Sequence, residues 1–340
     1  MDVVGPLDQP RRPRLDDVAS EVGVSPATVS LVLRGIAGPS TATRERVLAA
    51  AARLDYRPDR AASALASRRS RLIGVVMNVS NPFHTQLIED VVEATQLAGY
   101  HLILNAVTRS QDEAQAIETL LDSRSEALVL LGSTLPVQRL KILGRQLPIV
   151  VVGRPVSAAG VEVVRTDDNK GLAQAVTYLV GLGHERIAYI GGGRGAVPAL
   201  RGRAYQHAMR HFHLDDYMQI LDGGETEAAG GQAARMLLLV ERHPTAVVTF
   251  NDRCAVGLID ALLRAGVKIP ETISVIGYDD SPVARLAHIN LTTVSQNTHE
   301  LAALAVRALT ERMENGRTGK QDVVVPPHLV VRGTTASPLS

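Results

Sequence analysis

The residues whose types and spacing best suit chemistry stand near the start of the chain, in a short apolar-periodic segment from Ser25 to Leu33. Ser25 is an N-cap residue with Pro26 at the first helical position, so Ser25, Ala27, Thr28, Leu31 and Arg34 lie along one helix and its exit. Hydroxyls and backbone amides placed this way suit phosphate oxygens, and Arg34 suits a phosphate or a guanine edge. The chemistry this would serve is recognition of nucleic acid, with a plain surface helix as the alternative. Two further helical patterns flank the segment: Asp16–Glu21, closing at Gly23, and Ser40–Leu54, capped by Ser40. Val18, Ala19, Val22, Val24, Val29 and Leu33 are expected to pack these helices together, leaving the start of the second free to enter a major groove. Arg44, Tyr56 and Arg57 complete the candidate DNA-binding set.

Other chemistries leave weaker marks. Gly191-Gly192-Gly193-Arg194-Gly195-Ala196 follows an expected strand and fits the loose dinucleotide pattern G-x-G-x-x-A, with Asp222 ending the next strand. Five strands precede the one it follows, whereas that pattern normally opens a nucleotide-binding unit, and Pro198 sits where the helix should already be running. No cofactor is expected. The 10 His are scattered without an H-E-x-x-H motif, so no metal site is expected, and no G-x-S-x-G elbow supports a Ser-His-Asp enzyme. The single Cys254 excludes an internal disulfide and suits a reducing compartment.

These residues need a scaffold. At 340 residues the chain exceeds what one core usually organises, so two or three domains are expected. Its longest apolar runs, such as Ala127–Leu131, fall far short of a membrane span, and the first residues lack the pattern of a signal peptide or lipid anchor. A cytoplasmic, nucleoid-associated protein is expected. Residues 1–71 carry 12 Arg and no Lys against 8 Asp plus Glu, a net of +4, while the remainder is net −3. A compact basic head of this kind suits a phosphate backbone.

Residues 1–14 read as a disordered arm, 15–58 as a three-helix head, and 59–70 as a short Ala-rich hinge. From Leu72 onward, buried apolar runs alternate with amphipathic helices, the mark of parallel sheets covered on both faces. Candidate strands are Leu72–Met77, His101–Asn105, Ala127–Leu131, Ile149–Val152, Val161–Val164, Arg186–Ile190, Gln219–Asp222, Ala246–Phe250, Ile273–Ile276 and Leu291–Val294. Ten strands are many for one open sheet, so two lobes with a cleft between them are expected: about 71–165 with 297–318, and about 166–296 with 319–340. Asp322–Val331, interrupted by Pro326-Pro327, is expected to return to one lobe as an edge element. The lobes alone would also fit a stand-alone sugar receptor of the periplasmic type; the basic head argues against it.

Leu15-Asp16-Asp17-Val18-Ala19-Ser20-Glu21-Val22-Gly23-Val24-Ser25-Pro26-Ala27-Thr28-Val29-Ser30 closely resembles the DNA-binding signature of the LacI/GalR family of repressors. The resemblance continues through Leu54-Asp55-Tyr56-Arg57-Pro58-Asp59, Asn81-Pro82-Phe83, Gly183-His184-Glu185-Arg186-Ile187-Ala188, Phe250-Asn251-Asp252 and Ile276-Gly277-Tyr278-Asp279-Asp280. It covers nearly the whole chain. It implies an all-α helix-turn-helix head and an α/β two-lobed sensor of the periplasmic-binding-protein-like type I fold. It further implies a non-enzymatic homodimer on palindromic operator DNA, with Leu65 wedging into the minor groove from paired hinge helices.

The same resemblance places an effector between the lobes, against Arg201, Asp279 and Asn251, with Phe83, Phe250 and Gln296 as further contacts. A sugar or sugar derivative is the default, with a purine-like ligand as the alternative. Leu31 stands where many members carry Arg, which implies an unusual operator half-site or an affinity leaning on Arg34, Arg44 and Arg57. Gly153 stands where some sugar-binding relatives have an acidic residue, and Glu225 where some have a stacking aromatic.

Overall fold

The computed structural model describes residues 13–57, 69–316 and 322–339. Residues 1–12 of the expected arm and most of the expected hinge, including Leu65, lie outside the described residues. The chain divides into two units, Met1–Ser70 and Arg71–Ser340.

The first unit contains α1 (Leu15–Val22), α2 (Pro26–Leu33) and α3 (Thr41–Arg53). Gly23 ends α1 in the left-handed region at φ 70°, and the Oγ atoms of Ser25 and Ser40 cap α2 and α3 by accepting from the Thr28 and Thr43 amides. Val18, Ala19, Val22, Val29, Val32, Val47, Ala50 and Ala51 form the core, with Val24, Leu33, Leu54 and Tyr56 partly buried against it. Val32, which the sequence reading passed over, is buried, and Leu33 packs at the margin.

The second unit carries two six-stranded sheets. Lobe 1 is built on β1 (Leu72–Asn78), β2 (His101–Val107), β3 (Ala127–Leu131), β4 (Ile149–Val152), β5 (Val161–Thr166) and β11 (Asp322–Val325), in the order β11-β5-β4-β3-β1-β2. Its helices are α4 (Pro82–Leu97), α5 (Glu113–Asp122), α6 (Val137–Gln146) and α11 (Thr298–Asn315). Lobe 2 has β6 (Ile187–Ile190), β7 (Gln219–Leu221), β8 (Ala246–Thr249), β9 (Ser274–Asp279), β10 (Thr292–Ser295) and β12 (His328–Val330), in the order β12-β10-β9-β8-β6-β7. Its helices are α7 (Asp168–Gly181), α8 (Ala196–His211), α9 (Glu227–Leu237) and α10 (Asp252–Arg264). Both faces of each sheet are covered, which is why β3 and β4 are buried at every position and read as continuous apolar runs.

Two expectations need correction. Asp322–Val331 does not serve one lobe: Asp322–Val325 pairs parallel with β5 at the edge of the first sheet, and His328–Val330 pairs antiparallel with β10 at the edge of the second. Residues 322–325 therefore belong to lobe 1. Pro326 and Pro327 offer no N–H to either ladder, so one strand ends there and the chain crosses before the next begins. Pro198 is not where a helix fails; it lies in the first turn of α8, where an amide would have no intrahelical acceptor.

Candidate functional sites

In the head, the side chains expected to meet DNA divide into two kinds. Ser25, Ala27, Arg34 and Arg57 are exposed, while Thr28, Leu31, Arg44 and Tyr56 are half-buried. Ser25 is committed to the cap, accepting from Thr28 N at 3.2 Å and sharing a 2.9 Å hydroxyl contact with Thr28 Oγ1. Arg34 Nε donates to Ser30 O at 3.2 Å, leaving the outer guanidinium nitrogens without a protein partner among the described residues. Arg44 is more committed. Its Nη1 and Nη2 donate to Val32 O at 3.3 Å and Ile36 O at 2.8 Å, satisfying carbonyls at the end of α2. Arg46, which the sequence reading did not single out, does the same for α1 through Val22 O at 2.6 Å.

In the second unit the two lobes enclose a cleft of ≈ 730 Å³. Phe83, Arg201, Phe250, Asn251, Asp279 and Gln296 all line it. That brings together residues from α4, α8, the ends of β8 and β9, and the crossing after β10. The volume suits one small polar molecule.

Arg201 organises the lobe 2 side. Only 4% exposed, it donates from Nε to Asp168 Oδ1 at 2.8 Å and from Nη1 to Phe250 O at 2.7 Å, with Asp279 Oδ1 3.9 Å away. Its guanidinium carbon stands 3.6 Å over the Tyr278 ring and 4.9 Å from the Phe250 ring centre. Burial opposes its charge, but Asp168, Tyr278 and Asp279 more than offset this and keep it cationic. Nη2 has no protein partner among the described residues. Asp279 is complementary. Its Oδ1 accepts from Gln296 Nε2 at 2.6 Å, and Gln296 Oε1 accepts from Thr166 Oγ1 at 2.7 Å, so Oδ2 is left without a protein partner among the described residues. Burial pushes the Asp279 carboxyl up, against the pull of Arg201.

Asp279 sits at φ 113°, a strained backbone for a residue with a side chain. The next turn is held from below. Buried Asp252 accepts from Ser281 N at 2.7 Å, Ser281 Oγ at 2.8 Å and Thr293 Oγ1 at 2.5 Å. Asn251 is less free than expected: Oδ1 caps α10 by accepting from Cys254 N at 2.9 Å, and Nδ2 donates to Glu225 O at 3.2 Å. The glycine run acquires a steric reason. A Cβ on Gly192 would lie 2.4 Å from Phe250 ring carbons, so the missing side chain makes room for that ring.

Lobe 1 contributes groups that sequence reasoning missed. His84 accepts from Asn78 N at Nδ1, 3.1 Å away, which leaves the proton on Nε2; burial pushes its pKa down to about 4. Glu113 and Arg154 also line the cleft, as does Glu225 from lobe 2, whose carboxyl is pushed up by burial. The only local signal was Asp112 followed three residues later by Gln115, which marks the start of α5 and says nothing of a cleft.

His207 and His211 stand four residues apart on α8, a spacing that escaped the sequence reading, yet no third ligand joins them among the described residues. The one group with metal-ligating side chains close together there is Asp90, Glu93 and His299.

A helix-turn-helix head joined in one polypeptide to a two-lobed sensor with a polar cleft defines a ligand-sensing DNA-binding protein. Residues 14–59 match the family described as bacterial regulatory proteins, lacI family, and residues 176–335 match the periplasmic binding protein-like domain. The HTH-type transcriptional regulator GalS of Salmonella typhimurium is 35% identical over 329 residues, covering 94% of this chain and 96% of that protein. The ribose operon repressor of Escherichia coli is 34% identical over 330 residues, covering 94% and 99%. A structure of the Lac repressor dimer bound to operator and the anti-inducer ONPF superposes with a TM-score of 0.83 at 27% identity, covering 96% of this chain and all of that one. The chain belongs to the LacI family of bacterial transcriptional regulators. No helix among the described residues is long and apolar enough to cross a membrane.

Proposed function

We propose that this protein is a homodimeric repressor that binds a palindromic operator through α2 of each head and changes operator occupancy when a sugar or sugar derivative enters the cleft. The observation that carries the reading is the convergence of Arg201, Asp279, Gln296, Phe250, Asn251 and Phe83 on one cavity. Arg201 and Asp279, with Nη1 and Oδ1 3.9 Å apart, bring a donor group and an acceptor group to one wall of the cleft, the pair that vicinal hydroxyls satisfy. The similarity to a ribose operon repressor and to an operator-bound Lac repressor dimer supports both halves of the proposal.

On this reading the chain catalyses nothing and works on DNA in the cytoplasm. Crossings at 166–168, 296–298 and 326–327 tie the lobes, so a ligand that prefers one degree of closure shifts the lobes. The hinge, with Leu65 as minor-groove wedge, would transmit that shift. The test is fluorescence anisotropy of the full-length protein on palindromic duplexes selected from random sequence, with and without D-ribose or D-galactose. Binding that weakens with salt and shifts with one of these sugars supports the proposal; DNA binding indifferent to sugars removes the sensor half of it.

A further inference from the structure

Gly153 lies on the cleft wall at φ +99°, and a Cβ built there would meet nothing within 4 Å. No side chain reaches the ligand space from that position. Another element of lobe 1 brings a carboxylate. Glu113, the first residue of α5, lines the same cleft and is only 9% exposed. Its two oxygens are unequal. Oε2 accepts from Thr134 N at 2.8 Å and Thr134 Oγ1 at 2.9 Å, while Oε1 is buried with no partner among the described residues. Arg154 does not fill the gap, since its Nε and Nη2 donate to the carbonyl oxygens of Ser133 and Leu135.

A buried acceptor left without a donor is costly, and in a protein such an atom calls for an explanation. We propose that Glu113 Oε1 is the lobe 1 acceptor for a hydroxyl of the effector, and that it selects a neutral polyhydroxylated ligand over an acidic one. The assignment rests on the cleft being the effector site. It gives that site two ends: Arg201 and Asp279 on lobe 2, which donate and accept, and Glu113 on lobe 1, which only accepts. Carbohydrate hydroxyls satisfy both ends. A carboxylate or phosphate placed against Glu113 would meet like charge, which Arg154 on the same wall offsets only in part because its Nε and Nη2 are committed to carbonyls.

The test is calorimetric titration of full-length wild-type protein and Glu113→Gln with D-ribose, D-galactose, D-glucose, galacturonate and glucuronate. Glutamine can keep its amide oxygen on the Thr134 amide, which turns Oε1 into a donor. At least one neutral sugar should bind the wild type, and the variant should bind that sugar roughly 10-fold or more weakly. The preference for the neutral sugar over the uronates should also shrink or reverse. A purely structural Glu113 would change the melting temperature and leave that ratio where it was. Equal affinities and an unchanged ratio would overturn the assignment while leaving the sugar reading intact. If no neutral sugar binds the wild type, the sugar reading itself fails and the assignment falls with it.

Discussion

Arg201→Met removes one cation and leaves three acceptors exposed to the consequence. Asp168 Oδ1 loses its 2.8 Å partner, Phe250 O loses its 2.7 Å donor, and Asp279 loses the charge 3.9 Å away that opposed its own burial. Methionine refills much of the space over Tyr278, so the loss is mainly electrostatic. Removing one partner of a buried ion pair typically costs about 3–5 kcal/mol. For a folded unit of this size each kcal/mol moves the melting temperature by roughly 2–4 °C, so the sensor transition should fall by about 6–20 °C. Asp168→Asn in the same background should recover part of that loss, because a neutral amide no longer needs the cation; coupling of about 0.5–3 kcal/mol is expected for such neighbours. Differential scanning calorimetry on the full-length single and double variants reads both numbers. A single variant melting within 2 °C of the wild type, or strictly additive losses, would refute the idea that Arg201 is the charge at the centre of lobe 2.

Three further outcomes follow from the geometry. His84 is neutral in the fold with its pKa down at about 4 against 6.5 unfolded, so its contribution is fully present above pH 6.5 and lost as pH falls towards 4. That amounts to on the order of 3 kcal/mol, and His84→Asn, which keeps an acceptor for the Asn78 amide, should flatten the acid side of a stability–pH profile measured by urea titration. Ser25→Ala removes the cap of α2 and should cost about 1 kcal/mol in the melting of the head, with weaker operator binding measured by anisotropy. Gly192→Ala places a methyl against the Phe250 ring; about 1–3 kcal/mol of destabilisation in a thermal melt is expected, with loss of sugar response, and an unaffected protein would contradict the packing role given to that glycine.

Much of the scaffold was legible because each strand of the doubly covered sheets is a short apolar run ended by turn residues. All ten expected strands lie within a few residues of their observed positions, and the caps at Ser25 and Ser40 were readable from local chemistry alone. The failures share a cause. Asp322–Val331 looks like one interrupted strand, and only the placement of β5 and β10 shows that its halves pair with different sheets. Glu113 reads as an ordinary acidic residue in a first helical turn; its burial depends on Thr134, 21 residues further on. His84 is likewise made a cleft residue by packing rather than by a motif. For Arg44, a member of the expected DNA-binding set, the bonds from Nη1 and Nη2 to the carbonyls of Val32 and Ile36 are likewise something no charge count reveals.

The central claim is that one chain couples a sugar in the cleft to DNA held by the head. Its most direct test measures the affinity of full-length protein and of Arg201→Lys, which keeps the charge but not the fork, for one selected palindrome over a sugar titration. The account predicts that wild-type affinity shifts several-fold with sugar, and that the variant binds the same DNA in the absence of sugar but no longer responds. An Arg201→Lys protein with the full wild-type response would contradict it.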